Sequence, residues 1–283
     1  MKEEKDLLLY LKSISKKIRY ETIKLAYEAE YAHPGPSLSI TDLLVALYYG
    51  ELNIDPNKPN WEDRDRFVLS KGHGCLSLYA ILADLGFYPA KENLKLRKLN
   101  SLVQGHPDMR KTPGIDFTAG SLGNGIGAAV GIAISFKIDK RQHRVFTILG
   151  DGEIQEGIVW EAASIASHLK LDNLVAIIDN NNFQASGPVE KINNIELIKN
   201  KWEAFGWIVI EINGHNFTEI LPALKLATSI TSKPTIIIAH TIKGKGVSFM
   251  ENDNSWHQRQ LTKEQYQLAL NEISSYEEGE KIG

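Results

Sequence analysis

The stretch HRVFTILGDGEIQEGIVWEAASIASHLKLDNLVAIIDNNN, residues 143–182, establishes the fold class. His143–Leu149 is apolar and β-branched enough for a buried strand, and it stops at Gly150-Asp151-Gly152. From Glu156 to Leu169, apolar residues fall at Ile158, Ala162, Ile165, Ala166 and Leu169, which is helical spacing. Leu174–Ile178 is a second buried strand, and it delivers Asp179-Asn180-Asn181-Asn182. A right-handed β-α-β unit brings both strand C-termini to one edge of a parallel sheet. Asp151 and Asn181 therefore meet there, although 30 positions separate them. One carboxylate, one amide oxygen and nearby backbone carbonyls form a hard-oxygen set suited to Mg²⁺ or Ca²⁺, with positions left for phosphate and water. The turn glycines allow backbone N–H groups to approach an anion.

The whole chain bounds what this site can serve. Its 283 residues hold enough apolar content to bury a core, and a net charge of −3 offers no electrostatic case for nucleic acid. The longest apolar runs, LLVALYY and TIIIAH, are too short to cross a bilayer. The N-terminus, MKEEKDLLLYLK, lacks the basic-then-apolar layout of a secretory signal. A lone cysteine, Cys75, excludes an internal disulfide and fits a reducing compartment. With one nearby histidine and no other basic group to activate it, Cys75 reads as a small packed residue. The expectation is a soluble cytoplasmic protein that binds neither nucleic acid nor membrane.

Before the central unit, Leu7–Ala32 reads as one or two helices whose many acids mark a solvated face, not a membrane-binding one. Pro34-Gly35-Pro36 is expected to fix a turn that holds His33 on a stiff backbone. Ile40–Tyr49 is the next helix, capped by Ser39 or Thr41. A short strand, Arg66–Leu69, opens into Ser70-Lys71-Gly72-His73-Gly74 ahead of a helix over Cys75–Leu85. There a Lys and a His between glycines can approach an anion, although a turn histidine taken alone is more often simply exposed.

Gln104-Gly105-His106-Pro107 lies in a loop, followed by the run Ala119–Gly127 and a small-residue helix over Ala128–Ile138. A dinucleotide fingerprint must directly follow a buried strand, and here His106–Thr118 is polar and proline-bearing. Gly123, Gly125 and Gly127 are evenly spaced, so the GxGxxG pattern is not met either. The run reads instead as a helix start that another backbone or an aromatic ring approaches closely. No GxxxxGK[ST] phosphate loop occurs. Beyond Asn182 the alternation resumes: helix Ile195–Glu203, strand Trp207–Ile212, Asn213-Gly214-His215, helix Phe217–Thr228 and strand Thr235–Ala239. This predicts one α/β domain, a doubly wound parallel sheet flanked by helices, with a helical N-terminal segment. Residues 1–270 form that domain, and residues 271–283 a solvated, acidic tail.

Eight segments carry a resemblance. HPGPSLSITDLL (33–44), DRDRFVLSKGHG (63–74), TAGSLGNGIGAAVG (118–131), GDGEIQEG (150–157), IIDNNNFQASG (177–187), NGH (213–215), TIKGKG (241–246) and SWH (255–257) occur in that order. Together they resemble the N-terminal, diphosphate-binding half of transketolase, a thiamine diphosphate enzyme of the pentose phosphate pathway. The GDG-to-NN element is shared by many thiamine diphosphate enzymes, whereas the HPG, SKGHG and SWH set is far more selective. The resemblance implies the thiamine diphosphate-binding fold of the PP domain. It implies that Asp151, the Asn181 side chain and the Phe183 carbonyl hold Mg²⁺ or Ca²⁺. It also implies that Gly152 and His73 contact the diphosphate, and that the backbone of Gly120 and Leu122 meets the aminopyrimidine. It further implies that Asn181 and His257 belong to the same cofactor site. His33, His106 and His257 would bind donor-sugar hydroxyls, His33 and His257 also moving protons, which suits imidazoles that titrate near neutral pH.

Glu156 and Glu161 resemble the pair that links two active sites across a dimer. Their spacing alone reads differently: five helical positions are ~140° apart, so the carboxylates do not share a face. Glu156 would then be a first-turn acid favoured by the helix dipole. His143, His168, His215 and His240 read as surface, helix-end or loop-packing residues. The chain departs from the family at Tyr31-Ala32, where Ser-Gly is usual, and at Pro36, where Gly is common. In the family a second domain supplies the glutamate that activates the cofactor and the arginines that grip sugar phosphates. The expectation is therefore one subunit of a split transketolase, active with a separate C-terminal subunit in an α₂β₂ heterotetramer. Three readings stay open beside it: another thiamine diphosphate enzyme, such as a deoxyxylulose or dihydroxyacetone synthase-like transferase or a 2-oxo-acid dehydrogenase subunit; a non-catalytic paralogue; and a Mg²⁺-dependent phosphohydrolase, for which an acidic cluster is missing.

Overall fold

All five strands of the main sheet run parallel, so their C-terminal ends share one edge, and that edge carries the site. The computed structural model describes residues 2–194 and 197–275. It opens with α1 (Lys2–Glu28), α2 (Pro34–Ser39) and α3 (Thr41–Ala46), which runs into a π-helical turn at Leu47–Glu51. β1 (Arg66–Leu69), α4 (Cys75–Asp84), α5 (Asn124–Ile138), β2 (Val145–Gly150), α6 (Gly157–His168) and β3 (Leu174–Asn180) follow. A small hairpin of β4 (Phe183–Gln184) and β5 (Gly187–Pro188) leads to α7 (Val189–Ile192) and α8 (Ile198–Ala204). The chain ends through β6 (Ile208–Asn213), α9 (Phe217–Ser229), β7 (Thr235–His240) and α10 (Lys263–Ser275).

Strand order is β1-β2-β3-β7-β6. Strand side chains alternate between two cores, because successive residues point to opposite faces of a sheet. Phe67, Phe146, Ile148, Val175, Ile177 and Ile237 pack towards α1, α3, α4 and α9. Val68, Val145, Leu149, Leu174, Ala176, Ile178 and Ile236 pack with residues of α5 and α6. Coverage on both faces explains why β2 and β3 read as unbroken apolar runs. The doubly wound reading therefore holds, with the bounds of β1, β2, β3, β6, β7, α6 and α9 within one or two residues of expectation.

Several expectations fail locally. Pro34-Gly35-Pro36 starts a helix instead of a turn, because proline fits the first helical turn, where its missing N–H is not needed. Neither Ser39 nor Thr41 caps the following helix: Ile40 is its N-cap, without a side-chain bond. Both hydroxyls are used inside the core, Ser39 on Asp179 and Thr41 on the Ser37 carbonyl. The helix expected from Ala128 starts at Asn124, and α8 starts at Ile198, residues 195–196 lying outside the described residues. α10 continues past residue 270 to Ser275, and the remainder of the expected tail, residues 276–283, lies outside the described residues. Among the described residues no helix is long and apolar enough to cross a membrane.

Candidate active site

The parallel register sets Gly150 beside Asp179, so Asp151 leaves β2 next to the turn that ends β3. Both Asp151 oxygens accept backbone bonds, from Gly152 N–H at 2.7 Å and from Asn182 N–H. Burial, and then the charge of Asp179, still push the Asp151 carboxyl up to about 7. Among the described residues no side chain forms an ion pair with it, whereas its neighbour Asp179 is paired with Lys71. A cation placed beside this buried carboxyl would favour its charged form. Asn181 Nδ2 donates to Asp179 at 2.8 Å, which fixes the amide orientation. Its Oδ1 accepts from Phe183 N–H at 3.0 Å and keeps a second lone pair. The donor chemistry is hard oxygen only. Among the described residues no group of three or more His, Cys, Asp or Glu could hold a metal, so any ion here must complete its shell with ligand or water oxygens.

Asp179 is a hub: it accepts from Lys71, Ser39, Asn181 and Thr241. Burial opposes its charge, but the Lys71 ammonium and these donors outweigh burial and leave the carboxyl below its ordinary value. Lys71 also donates to the Pro36 carbonyl at 3.1 Å. Lys71 lines the same space as His73, but its ammonium is buried and paired with the Asp179 carboxylate.

A cavity of about 340 Å³ opens from this wall. His33, His73, His106 and His257 all line it, from the α1–α2 link, the turn after β1, the α4–α5 segment and the β7–α10 segment. The His33 ring centroid lies 5.6 Å from that of His73, 5.8 Å from His106 and 5.6 Å from His257. His73 and His257 are 5.1 Å apart. Gly120, Leu122, Gly152, Asn181 and Phe183 complete the expected set around the same space. All four imidazoles are held below the ordinary histidine value, and the expectation of titration near neutral pH fails for His33 and His257. Burial, then the neighbouring His106, lowers His33 to about 4; burial, then Lys243, lowers His257 to about 3; His73 and His106 are also lowered, mainly by burial.

Gly152 has a steric reason: a Cβ there would meet the Gln184 Cβ at 2.6 Å. The approach expected at the glycine-rich helix start occurs at Gly125, where a Cβ would lie 2.5 Å from the Ser70 Cα. Glu156 lines the cavity but is exposed, and it is the N-cap of α6 with extended backbone, not a first-turn residue. The helical-face comparison with Glu161 therefore does not apply. Glu161 is exposed on α6, away from the cavity lining.

Two lining residues escape the sequence reading. Lys243 is fully buried; it donates to Asn254 Oδ1 at 2.6 Å and lies 3.0 Å from His257 Nδ1. An ammonium has no lone pair, so His257 Nδ1 accepts and the ring proton sits on Nε2. Burial, then Lys71, lowers the Lys243 ammonium to about 8. Glu153 ties three loops together, accepting from Ser70, from Gly123 N–H at 2.7 Å and from Gly150 N–H at 3.0 Å. Neither position carries a signal in sequence, since a Lys in KGK and a Glu after a Gly-Asp-Gly turn both read as solvated. Behind Asp151 and Phe183 lies a larger cavity of about 700 Å³, lined by Asn180, Glu190, Lys199 and His240 among others. The histidines converge on the smaller one.

Along most of its length the chain is similar to known proteins. Residues 11–277 match the family described as transketolase, thiamine diphosphate binding domain. A 6-deoxy-6-sulfo-D-fructose transketolase subunit from Clostridium sp. (strain MSTE9) is 44% identical over 256 residues, covering 90% of this chain and 93% of that one. An apulose-4-phosphate transketolase subunit from Phocaeicola vulgatus is 40% identical over 260 residues, covering 92% of both chains. Human transketolase is 38% identical over 281 residues, 99% of this chain but 44% of its own length. The crystal structure of transketolase from Campylobacter jejuni superposes with a TM-score of 0.88 at 35% identity, covering 93% of this chain and 42% of that one. The chain thus spans most of the two subunit relatives and less than half of these longer transketolases. It belongs to the transketolase family and corresponds to its N-terminal, thiamine diphosphate-binding region.

Proposed function

We propose that this chain is the N-terminal subunit of a two-chain cytoplasmic transketolase, moving a two-carbon ketol unit from a ketose to an aldose with thiamine diphosphate and Mg²⁺ or Ca²⁺. The observation that carries the reading is one cavity with an unpaired buried carboxylate at its base and four imidazoles around it. Bound thiamine diphosphate supplies the carbon nucleophile that cleaves and re-forms the carbon–carbon bond. Asp151, Asn181 Oδ1 and the Phe183 carbonyl hold the cation. Gly152, His73 and Lys243 would face the diphosphate, and the backbone of Gly120 and Leu122 would face the aminopyrimidine. Diphosphate needs both the cation and the ammonium, because Asp151 alone repels it.

The histidines serve the sugar. His33 makes no ring hydrogen bond among the described residues, so both its nitrogens are available to a donor hydroxyl. His106 adds a second contact. His257, with Nδ1 taken by Lys243, presents Nε2–H and begins as a hydrogen-bond donor. Neutral rings at pH 7 make these residues proton acceptors and donors by geometry, not reservoirs of charge. Glu156, at the cavity rim, and Glu161, on the outer surface of α6, are both exposed, where they would meet the second half of a heterotetramer.

Two subunit relatives support a separate C-terminal partner, since this chain covers more than nine-tenths of each. Their names also widen the range of donors to a sulfonated and a phosphorylated sugar. The test is to co-express the chain with the neighbouring open reading frame and assay xylulose 5-phosphate, 6-deoxy-6-sulfo-D-fructose and pyruvate. Ketol transfer is expected from the mixture with a ketose donor. Turnover by this chain alone overturns the two-chain reading, and activity with pyruvate in place of a ketose moves it to 2-oxo-acid chemistry.

A further inference from the structure

We infer that His215 is a positioning residue: with Arg19 and Asp42 it forms a buried brace that grips the backbone on both sides of Lys243 and sets where that ammonium points. The inference rests on the cofactor reading above, which gives Lys243 a ligand to meet. His215 Nδ1 lies 2.7 Å from Asp42 Oδ2, and Ile242 N–H donates to His215 Nε2 at 2.8 Å. The second bond makes Nε2 an acceptor, so the ring proton is on Nδ1 and donates to Asp42. Arg19 pairs with the same Asp42 oxygen, and its Nε donates to the Lys245 carbonyl at 3.2 Å. Lys243 therefore hangs between two held backbone groups, the Ile242 N–H and the Lys245 carbonyl.

The surroundings leave little room for another arrangement. Arg19 and Asp42 are each 1% exposed and Lys243 is 0% exposed. A Cβ on Gly246 would come 2.9 Å from Arg19 Cδ, so glycine lets the guanidinium arm pass. Gly244 N–H donates to the Gly35 carbonyl at 3.1 Å, which ties the same loop to the first turn of α2, next to its N-cap His33. From this anchored backbone Lys243 reaches Asn254 and His257. Buried ion pairs are poor sources of net stability, because desolvation offsets much of their attraction. Placement is what this one supplies. It spans α1, α3 and the loop after β6, and its outlet is the backbone of residues 242–245. The NGH segment, which the site itself does not use, acquires a role through that outlet.

Thiamine diphosphate binding with Mg²⁺, measured by calorimetry on the full chain with its partner subunit, tests the brace through His215→Phe, Lys243→Met and the double variant. H215F is expected to bind about 10–100-fold more weakly, the range typical of lost supporting hydrogen bonds. If His215 acts through Lys243, the double variant binds no more weakly than K243M. H215Q, whose amide offers one donor and one acceptor, is expected to stay close to wild type. Unchanged affinity of H215F, or losses that add in the double variant, overturns the brace and leaves the cofactor reading standing. Failure of the wild-type assembly to bind thiamine diphosphate removes both. A measurement without any variant also decides it: the Ile242 amide should exchange with solvent as slowly as those of β7, and fast exchange overturns the brace even if H215F does not fold.

Discussion

Burial sets the protonation of the site's imidazoles, and that has a consequence for stability. His33 is lowered to about 4 and His257 to about 3, with His106, Arg97, Lys71 and Lys243 adding repulsion around the rings. The unfolded chain takes up these protons near pH 6.5, whereas the native site refuses them until far lower pH. Between about pH 6.5 and 4 the native state therefore binds fewer protons, and its stability falls as pH falls. Linkage puts the loss at roughly 2 kcal/mol for His33 after allowance for its partial exposure. Urea unfolding at pH 6.5 and 4.5 checks this: His33→Asn should lose less stability than wild type over that interval, and equal losses would count against it. A second prediction for a single residue concerns Gly152. An added Cβ meets Gln184 at 2.6 Å, so Gly152→Ala should displace the β4–β5 hairpin from the Asp151 wall. Metal-dependent thiamine diphosphate affinity should drop about tenfold or more, while the unfolding midpoint of the unliganded chain changes little.

Among the secondary-structure elements, the helix α5 has two kinds of glycine. Gly125 abuts the end of β1, where a Cβ would lie 2.5 Å from the backbone of Ser70. Gly127 has nothing within 4 Å of an added Cβ. Gly125→Ala should therefore destabilise the chain by about 1–3 kcal/mol through overpacking. Gly127→Ala should stabilise the unpartnered chain by about 0.5–1 kcal/mol, because alanine loses less backbone entropy in a helix. Chemical denaturation of both variants reads the contrast, and similar effects from the two would refute it. The even glycine spacing speaks against a dinucleotide site, yet it does not tell which glycine carries the contact. Similarly, the helical pattern of α1 is legible in sequence, but its buried Arg19 is not, because a charge on an amphipathic helix ordinarily faces solvent.

Across the molecule as a whole, ligand and fold stability are linked. Thiamine diphosphate with Mg²⁺ at a hundred times its Kd should stabilise the native state by about 2.7 kcal/mol, and a chelator should reverse the gain. Thermal unfolding of the assembly with and without EDTA measures it. Asp151→Asn should abolish the metal-dependent part, and a gain that survives in that variant would remove Asp151 from the metal set. The α/β alternation, the parallel sheet and the strand-end turns that bear Asp151, Asn181 and His73 are legible in the sequence alone. They follow from local periodicity and from residue chemistry beside glycine and proline breaks, which neighbouring residues suffice to specify. The remaining features arise from packing. β7 inserts between β3 and β6, so Thr241–Lys243 leaves the sheet beside Asp179, a position that sequence order does not imply. Gly35 packs on the Trp256 carbonyl and the Lys243 stem, and this closes solvent off from a lysine that reads as exposed. Burial of a charge depends on segments more than 200 positions apart meeting in space, as Arg19 and Lys245 do, and that is a property of tertiary structure that no local pattern encodes.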